Sequence, residues 1–382
     1  MATTGSQKAP IKIDWVSTIF LVTYHLLLFI LLPIYLVNNS PSPILWWMAG
    51  GLMVFSLMSI TAGYHRYFSH RTYDTARPIQ ALLLFFGTLA TQGSVIRWSH
   101  DHRLHHRHVD GELDPYGTSK GFWHSHLIWM FKDGPEIEEK YIRDLKDDPM
   151  LAHQHNHYGW WMAIANILPV LVAGWLTGDW FGSFVIVFLL RLFVAHHCTW
   201  FINSLAHMWG SKPYSTEHSA VNNFFLASIT YGEGYHNYHH SFAGDYRNGV
   251  RWYQFDPSKY LIWTLSKLGL AWGLQRMDPL MVRKKLVNHD KKLLIDHLSS
   301  VPDTEAGAFE LAVTRMSEKI SEQIASARAL MDKYRKMDRK SNRLEMKEMR
   351  RHFRQLKREL SEDMKTWKRL CNLVLALKPA TT

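Results

Sequence analysis

The sequence predicts an all-α integral membrane protein, with four transmembrane helices, a cytoplasmic histidine-rich cap and a C-terminal helical hairpin or coiled-coil tail. Three observations carry that expectation. Four apolar runs are nearly free of charge and long enough to cross a bilayer, for which about 20 residues suffice. Lys and Arg are absent from the two short loops that join these runs in pairs, and are concentrated in the long segments that follow each pair. From about residue 303 the composition turns to Glu, Lys, Arg, Ala and Met, with apolar residues at helical spacing.

Residues 1–14 read as a polar N-terminal segment, and the apolar run that follows is too long for a signal peptide. The first run spans Trp15 to Val37 and the second Ile44 to Ala62, joined through NNSPSP. The third, Gly159 to Leu176, and the fourth, Trp180 to Ile202, are separated only by TGD, which implies a tight antiparallel pair. Trp46, Trp47, Trp160, Trp161 and Trp180 fall near run ends, where amphipathic rings anchor at the membrane interface. Lys8 and Lys12 precede the first run, so the positive-inside tendency places the termini and both long segments in the cytoplasm. Arg191, inside the fourth run, is the one charge that cuts across this pattern.

A further apolar run, Ile79 to Val95, lies between His65 and His70 on one side and His102, His105 and His106 on the other. A crossing there would separate these histidines across the bilayer. The run is also short and holds Gln92 and Gly93, so it reads as a buried or partly inserted helix that returns to the same side. Residues 258–275 alternate apolar and polar on a helical period and read as one interfacial helix. The membrane domain is therefore set at 15–278 and a soluble helical extension at 279–382. In the extension, Val313, Met316, Ile320, Ile324, Ala327, Met331 and Tyr334 form one stripe, and Met349, Phe353, Leu356, Leu360, Trp367, Cys371 and Val374 a second, with MDRKSN (337–342) between them. Two helices packed on each other account for this pattern; docking, oligomerisation or contact with anionic lipid are the alternatives.

The net charge of +11 suits anionic lipid, a phosphate-bearing substrate or nucleic acid, and nothing else in the sequence points to nucleic acid. Only two cysteines are present, Cys198 and Cys371, so no disulfide framework is expected and imidazole is the one abundant transition-metal ligand. DHRLHHRH (101–108) and GYHNYHHSF (234–242) share the spacing H-x-x-H-H. On a helix, positions i, i+3 and i+4 share a face, so His102, His105 and His106 point together, as do His236, His239 and His240. The i and i+4 members can grip one metal, and adjacent histidines can reach two. His65 and His70, five apart in HRYFSH, diverge by more than a quarter turn on an α-helix and are expected on separate metals. His207 follows Asn203 by four residues, so Asn203 could hold a metal-bound water. Lone histidines such as His25, His153, His155, His157, His196, His197, His218 and those of the tail read as ordinary core or surface residues. Nine imidazoles exceed what one ion takes, and two metals with four or five nitrogens each is the natural division. Such nitrogen-rich sites suit iron, copper or zinc, and the two Glu-x-x-His motifs of soluble diiron bundles do not occur together.

Taken together, HRYFSH, HRLHH, NSLAH and GEGYHNYHH resemble the histidine boxes of the membrane fatty acyl desaturases, in particular the stearoyl-CoA (acyl-CoA delta-nine) desaturases. The resemblance covers roughly residues 15–270. It implies two irons held by His65, His70, His102, His105, His106, His207, His236, His239 and His240, with Asn203 acting through water. It implies use of dioxygen and two external electrons to place a cis double bond in a long-chain saturated acyl-CoA. Gln92, Trp98, Thr199 and Trp200 match the bend of the family's acyl tunnel. Asp101 and Asp114 could orient ligating imidazoles, as carboxylates beside metal sites commonly do, and Asp101 could instead touch the substrate head group. The animal acyl-CoA enzymes carry Arg where His100 stands and Asn where Gly93 stands, which leaves an acyl-lipid head group open. No HPGG-type haem-binding signature occurs, so a separate donor of ferredoxin or flavin-reductase type is expected. The expected setting is a multi-pass integral membrane protein, in the inner membrane if the source is bacterial. A phospholipid-level desaturase and a hydroxylase on the same scaffold are the near alternatives. A histidine-rich metal transporter is the distant one, because transport sites lie within spans near the midplane.

Overall fold

The computed structural model describes residues 12–301, 303–337 and 343–378. Most of the polar segment 1–14 and all of MDRKSN except Met337 lie outside the described residues. The chain divides into two compact units, one of residues up to 212 together with 217–276, the other of 213–216 together with 277 onward.

In the first unit, four helices among the described residues are long and apolar enough to cross a membrane: Trp15–Asn38, Pro43–Ser69, Tyr158–Thr177 and Trp180–His207. The first, of 24 residues, opens where the Asp14 carboxylate accepts the Ser17 N–H at 3.0 Å. At 1.5 Å per residue it reaches about 36 Å, enough for a hydrocarbon core of about 30 Å. The second opens on a Ser42 cap with Pro43 in its first turn, where a missing N–H costs nothing. Between the third and fourth, Gly178 takes a left-handed conformation and Asp179 accepts the Gly182 N–H at 2.7 Å. Tyr35 of the first span donates to the same Asp179 carboxylate, fastening that turn.

The apolar stretch at 79–95 is not one helix. Arg77–Leu89 is helical, a length of 13 residues and about 20 Å, too short to cross. The chain then reverses through Thr91 (φ 55°) and Gly93 (φ 92°), and a new helix, Val95–His108, starts on a Ser94 cap. The buried Arg191 explains itself here. Its guanidinium donates to Leu89 O at 3.2 Å, to Asn166 Oδ1 at 2.5 Å and to Val187 O at 2.8 Å. It thus meets the Leu89 carbonyl at the end of the half-length helix, where the helix dipole favours a cation.

The single helix expected over 258–275 is corrected: Pro257–Lys267 is helical, and Ala271–Trp272 is a short strand paired antiparallel with Asp74–Thr75. Gly269 (φ 72°) and Gly273 (φ 63°) supply the left-handed residues that end the helix and turn the strand.

The second unit is a bundle of three helices among the described residues, Pro279–Leu298, Asp303–Lys336 and Arg343–Leu375. Its core holds Val313, Ile320 and Ile324 of one predicted stripe and Leu360, Trp367 and Val374 of the other. The first helix was not foreseen as a partner. It adds Val287, Leu294 and Leu298, and Trp367 Nε1 donates to its Asp290 at 3.0 Å.

Candidate metal centre

The second candidate span changes its winding before it delivers its histidines. Ser59–Ser69 is wound as a π-helix, and the His70 N–H donates to His65 O at 3.1 Å, an i to i+5 bond. This wider turn stacks residues five apart on one face, so the His65 and His70 rings lie 4.8 Å apart. The expectation of separate metals for this pair, drawn from α-helical angles, is therefore corrected: both join one group.

Two groups form. His65, His70, His102, His106 and His239 make the first, and His105, His207, His236 and His240 the second, with the ligand atoms in each within 4.8 Å of one another. The helix Val95–His108 sends His102 and His106 to the first group and His105 to the second. The short helix His236–Ser241 sends His239 to the first, and His236 and His240 to the second. The i, i+4 pairs stay together and adjacent histidines part, as a 100° step per residue requires.

All nine rings present Nε2. In the first group, His65 faces His239 at 3.0 Å, His70 faces His102 at 2.8 Å and His106 faces His239 at 2.9 Å. In the second, His240 lies 3.3 Å from His105 and 3.1 Å from His236. His207 Nε2 is buried with no hydrogen-bond partner among the described residues. Two nitrogens about 2.1 Å from a common ion and at right angles are about 3.0 Å apart. The separations, the buried unpartnered nitrogen and the absence of any carboxylate from either group all fit a pair of nitrogen-preferring transition-metal ions.

The other ring nitrogen is held from outside in several cases. His105 Nδ1 meets Asp114 at 2.9 Å, and His65 Nδ1 meets Glu233 at 2.9 Å. His207 Nδ1 lies 2.7 Å from Ser219 Oγ, which donates to Asp110, and His102 Nδ1 is 3.4 Å from the Tyr116 hydroxyl. Burial, reinforced by neighbouring imidazoles, holds His70, His102, His106, His236, His239 and His240 well below the ordinary range, so these rings are neutral with lone pairs available. Burial alone would raise Glu233, but His65 and Arg66 outweigh it and hold the carboxyl down to about 2. Arg66, 1% exposed, also bridges to Asp256, which is fully buried. Glu233, Arg66, Asp110, Ser219 and Tyr116 were missed from sequence. Glu233 lies inside GEGYHNYHH and Arg66 inside HRYFSH, so both sat in plain view within the motifs.

A cavity of about 530 Å³ opens beside both groups, bounded by His65, His102, His105 and His236 and by Asn203. Gln92, Trp98, Asp101, Thr199 and Trp200 all line it, with Phe20 and Leu21 on its apolar wall. Gln92 ties three of these together: its amide donates to Thr199 Oγ1 at 2.9 Å and its oxygen accepts from Trp98 Nε1 at 3.4 Å. Asp101 orients none of the nine rings. Its carboxylate takes His100 Nδ1 at 2.8 Å and Arg97 at 3.4 Å, which leaves the ring-orienting role with Asp114. A smaller apolar cavity of about 300 Å³ shares Phe20 and Thr91 with the first and is otherwise lined by Met162, Ile167, Phe184, Phe188 and their neighbours.

The fatty acid desaturase family model matches residues 41–284. The chain belongs to the fatty acid desaturase family. It is 42% identical over 246 residues to a probable acyl-CoA desaturase of Schizosaccharomyces pombe, covering 63% of this chain and 51% of that protein. It is 39% identical over 238 residues to acyl-CoA desaturase 1 of Saccharomyces cerevisiae, covering 62% and 47%. It is 32% identical over 275 residues to the sn-1 stearoyl-lipid 9-desaturase of Anabaena variabilis, covering 70% and 96%. The chain thus spans about half the length of the two fungal proteins and nearly all of the cyanobacterial one.

Both histidine groups and the carboxylates beneath them fall within the desaturase match, and Phe20 and Leu21 of the cavity wall precede it. The helices Asp303–Lys336 and Arg343–Leu375 lie beyond it.

Proposed function

We propose that this desaturase is an oxygen-dependent, non-haem diiron enzyme that places a cis double bond near the ninth carbon of a long saturated acyl-CoA. The observation that carries the reading is the pair of histidine groups, five and four strong, each with two members, His65 and His102, His105 and His236, on the wall of a cavity that also holds Phe20, Leu21 and Trp200. Two irons, when bound, would activate dioxygen for removal of hydrogen from adjacent methylenes. The nine histidines would hold them, and Asn203, on the cavity wall, would act through a water. Glu233 and Asp114 keep Nδ1–H on His65 and His105, so that Nε2 stays free as a donor. The Gln92 bridge between Trp98 and Thr199 sets the bend that selects which methylenes lie beside the metals, and Trp200 walls the same bend. Phe20 and Leu21 keep water from the reacting carbons. Arg97 and Lys132 line the cavity beside Asp101, Asp133 and Glu136, and are the cations there that suit the phosphates of a CoA head group. The distribution of Lys and Arg puts the histidine groups on the cytoplasmic side, in reach of a separate ferredoxin or flavin-reductase electron donor.

One observation favours a second reading, desaturation of lipid-bound acyl chains: a relative that this chain nearly covers from end to end is a stearoyl-lipid desaturase. The test supplies the purified protein in lipid nanodiscs with dioxygen, a reduced ferredoxin or flavin reductase, and either stearoyl-CoA or stearoyl phosphatidylcholine. New unsaturation at the ninth carbon with the thioester, and about two irons per chain, is the expected result. Activity on the phospholipid alone transfers the proposal to the second reading. A hydroxylated product, or none from either substrate in an iron-loaded preparation, overturns both.

A further inference from the structure

The helix Arg343–Leu375 sorts its side chains into three faces. Met346, Met349, Leu360, Trp367 and Val374 are buried. At about 100° per residue, all ten Lys and Arg from Arg343 to Arg369 fall within an arc of about 120°, from Lys357 at one edge to Arg351 and Arg369 at the other. The acids of the helix, Glu345, Glu348, Glu359, Glu362 and Asp363, all lie outside that arc. Every one of the ten cations is exposed. At 1.5 Å per residue the stripe is about 39 Å long, and between its ends only Ser361 shares the arc.

Such sorting is costly to the helix. Like charges three or four residues apart repel, and opposite charges attract. Nine such pairs along the stripe are both positive, from Arg343 with Lys347 to Lys365 with Arg369. Three pairs on the helix are of opposite sign: Glu348 with Arg351, Arg358 with Glu362, and Glu362 with Lys365. Among the described residues the stripe makes one ion pair, Lys365 Nζ to Glu362 at 2.8 Å, and Arg350 donates to the Tyr334 hydroxyl at 2.7 Å. Glu345 and Asp363 are spent on the neighbouring helix instead, meeting Lys333 at 3.0 Å and Lys319 at 2.8 Å. That neighbour, Asp303–Lys336, interleaves its signs, with Arg315 and Lys319 alternating with Glu318 and Glu322. Solubility is served by such mixing and does not call for segregation. A face of one sign points to an occupant of the other.

The make-up of the stripe selects among occupants. A protein interface centres on aromatic and aliphatic anchors, and Lys is depleted from its core. Single-stranded nucleic acid stacks its bases on exposed rings. The stripe offers neither, since Trp367 is buried and Phe353 lies outside the arc. A second copy meeting it face to face would bring the same sign. What fits is a surface whose negative charges are many, mobile and without fixed pattern, as the phosphates of an anionic leaflet are. The chain brings such a surface with it: Met277 opens this unit directly after Arg276 of the unit that carries the four candidate spans. We propose that the Lys and Arg face of Arg343–Leu375 binds the headgroups of an anionic phospholipid bilayer. The proposal is independent of the acyl chemistry.

The test places the full chain in nanodiscs of phosphatidylcholine alone, or with about 30% phosphatidylglycerol to make the surface anionic. An amine-acylating reagent then reads the exposure of each lysine by mass spectrometry. Lys347, Lys357, Lys365 and Lys368 should label about fivefold more slowly in the anionic discs, the factor expected of one cation held near such a surface. Lys319, paired to Asp363 on the acidic edge, should not change. Salt at about 1 M should erase the difference, because the screening length falls to about 3 Å. The combined variant Arg351→Gln, Arg354→Gln, Arg358→Gln should lose most of the slowing. Its melting temperature in neutral discs should be no lower than wild type, since repulsion is relieved. Equal labelling in the two discs, slowing that survives the triple variant, or slowing of Lys319 along with the stripe overturns the proposal. A lower melting temperature of the variant in neutral discs also overturns it, by making the stripe part of the fold. Protection in neutral discs by added ferredoxin or duplex DNA, with none from phosphatidylglycerol, overturns it in favour of that partner.

Discussion

Glu233→Gln tests how the first histidine group is held. The carboxylate faces only donors: Oε1 accepts from Arg66 Nε at 3.2 Å and Nη2 at 3.0 Å, and Oε2 accepts from Asn248 Nδ2 at 2.6 Å and pairs with His65 Nδ1 at 2.9 Å. An amide of the same shape has one acceptor oxygen and must turn its NH₂ toward the other pair of donors. Facing oxygen to the buried guanidinium is the cheaper choice, because hydrogen bonds to a charged group contribute about 1.5–3 kcal/mol each. The amide nitrogen then meets His65 Nδ1, which can no longer keep its proton there, and the ring tends to the tautomer with Nε2 protonated. Losing such a support commonly costs 10–100-fold in metal affinity, about 1.4–2.7 kcal/mol. The assay is iron retained per chain against graded chelator, with a melting curve in detergent as a check on folding. The expected result is a chelator midpoint lower by one to two decades for one of the two irons. A midpoint within twofold of wild type, in a folded variant, would refute the claim that Glu233 sets the His65 tautomer.

Asp114→Asn should weaken only the second group, because its partner His105 belongs there; chelation should then empty one iron early and leave the other as in wild type. Arg66→Leu strips the cation from between Glu233 and Asp256 and leaves two buried carboxylates, a change of about 3–5 kcal/mol that should lower the melting temperature sharply even without metal. Phe20→Ala should merge the 530 Å³ and 300 Å³ cavities, since Phe20 lines both. At about 0.8 kcal/mol per buried methylene, a chain two carbons longer gains about 1.6 kcal/mol, roughly fifteenfold in relative kcat/KM, read by competing substrates of different length.

The spans were legible because hydrocarbon thickness, apolar run length and the charge-free loops answer to the same physics. The failures were local. The five-residue step from His65 to His70 was judged on an α-helix, and nothing in HRYFSH announces the wider winding that puts both rings on one face. The stretch 258–275 kept an apolar period through Gly269 and Gly273, whose positive φ ends the helix. Arg191 looked like an anomaly because its partners, Leu89 O and Asn166, are distant in sequence. The helix Pro279–Leu298 spaces Leu280, Val287 and Leu294 seven apart among charges, a sparse stripe that became readable only beside its two partners.

What the sequence could least reveal is which histidines bind and which do not, since both kinds carry the same ring. The difference lies in what each nitrogen meets. In the two groups, Glu233 pairs with His65 Nδ1, Asp114 and Ser219 hold Nδ1 of His105 and His207, and the Nε2 atoms converge on one another. In the spans, Leu21 O and Ala90 O each capture a proton, from His25 and His196, and the other ring nitrogens of His25, His196 and His197 face the Tyr24 hydroxyl, His126 or each other. A ring anchored through Nδ1 by a carboxylate or hydroxyl keeps Nε2 aimed as a ligand, whereas a ring whose nitrogens meet backbone carbonyls and other rings is held for packing. Substituting the outer acceptor, Glu233 or Asp114, should therefore loosen metal while leaving the contacts of His25, His126, His196 and His197 as they are.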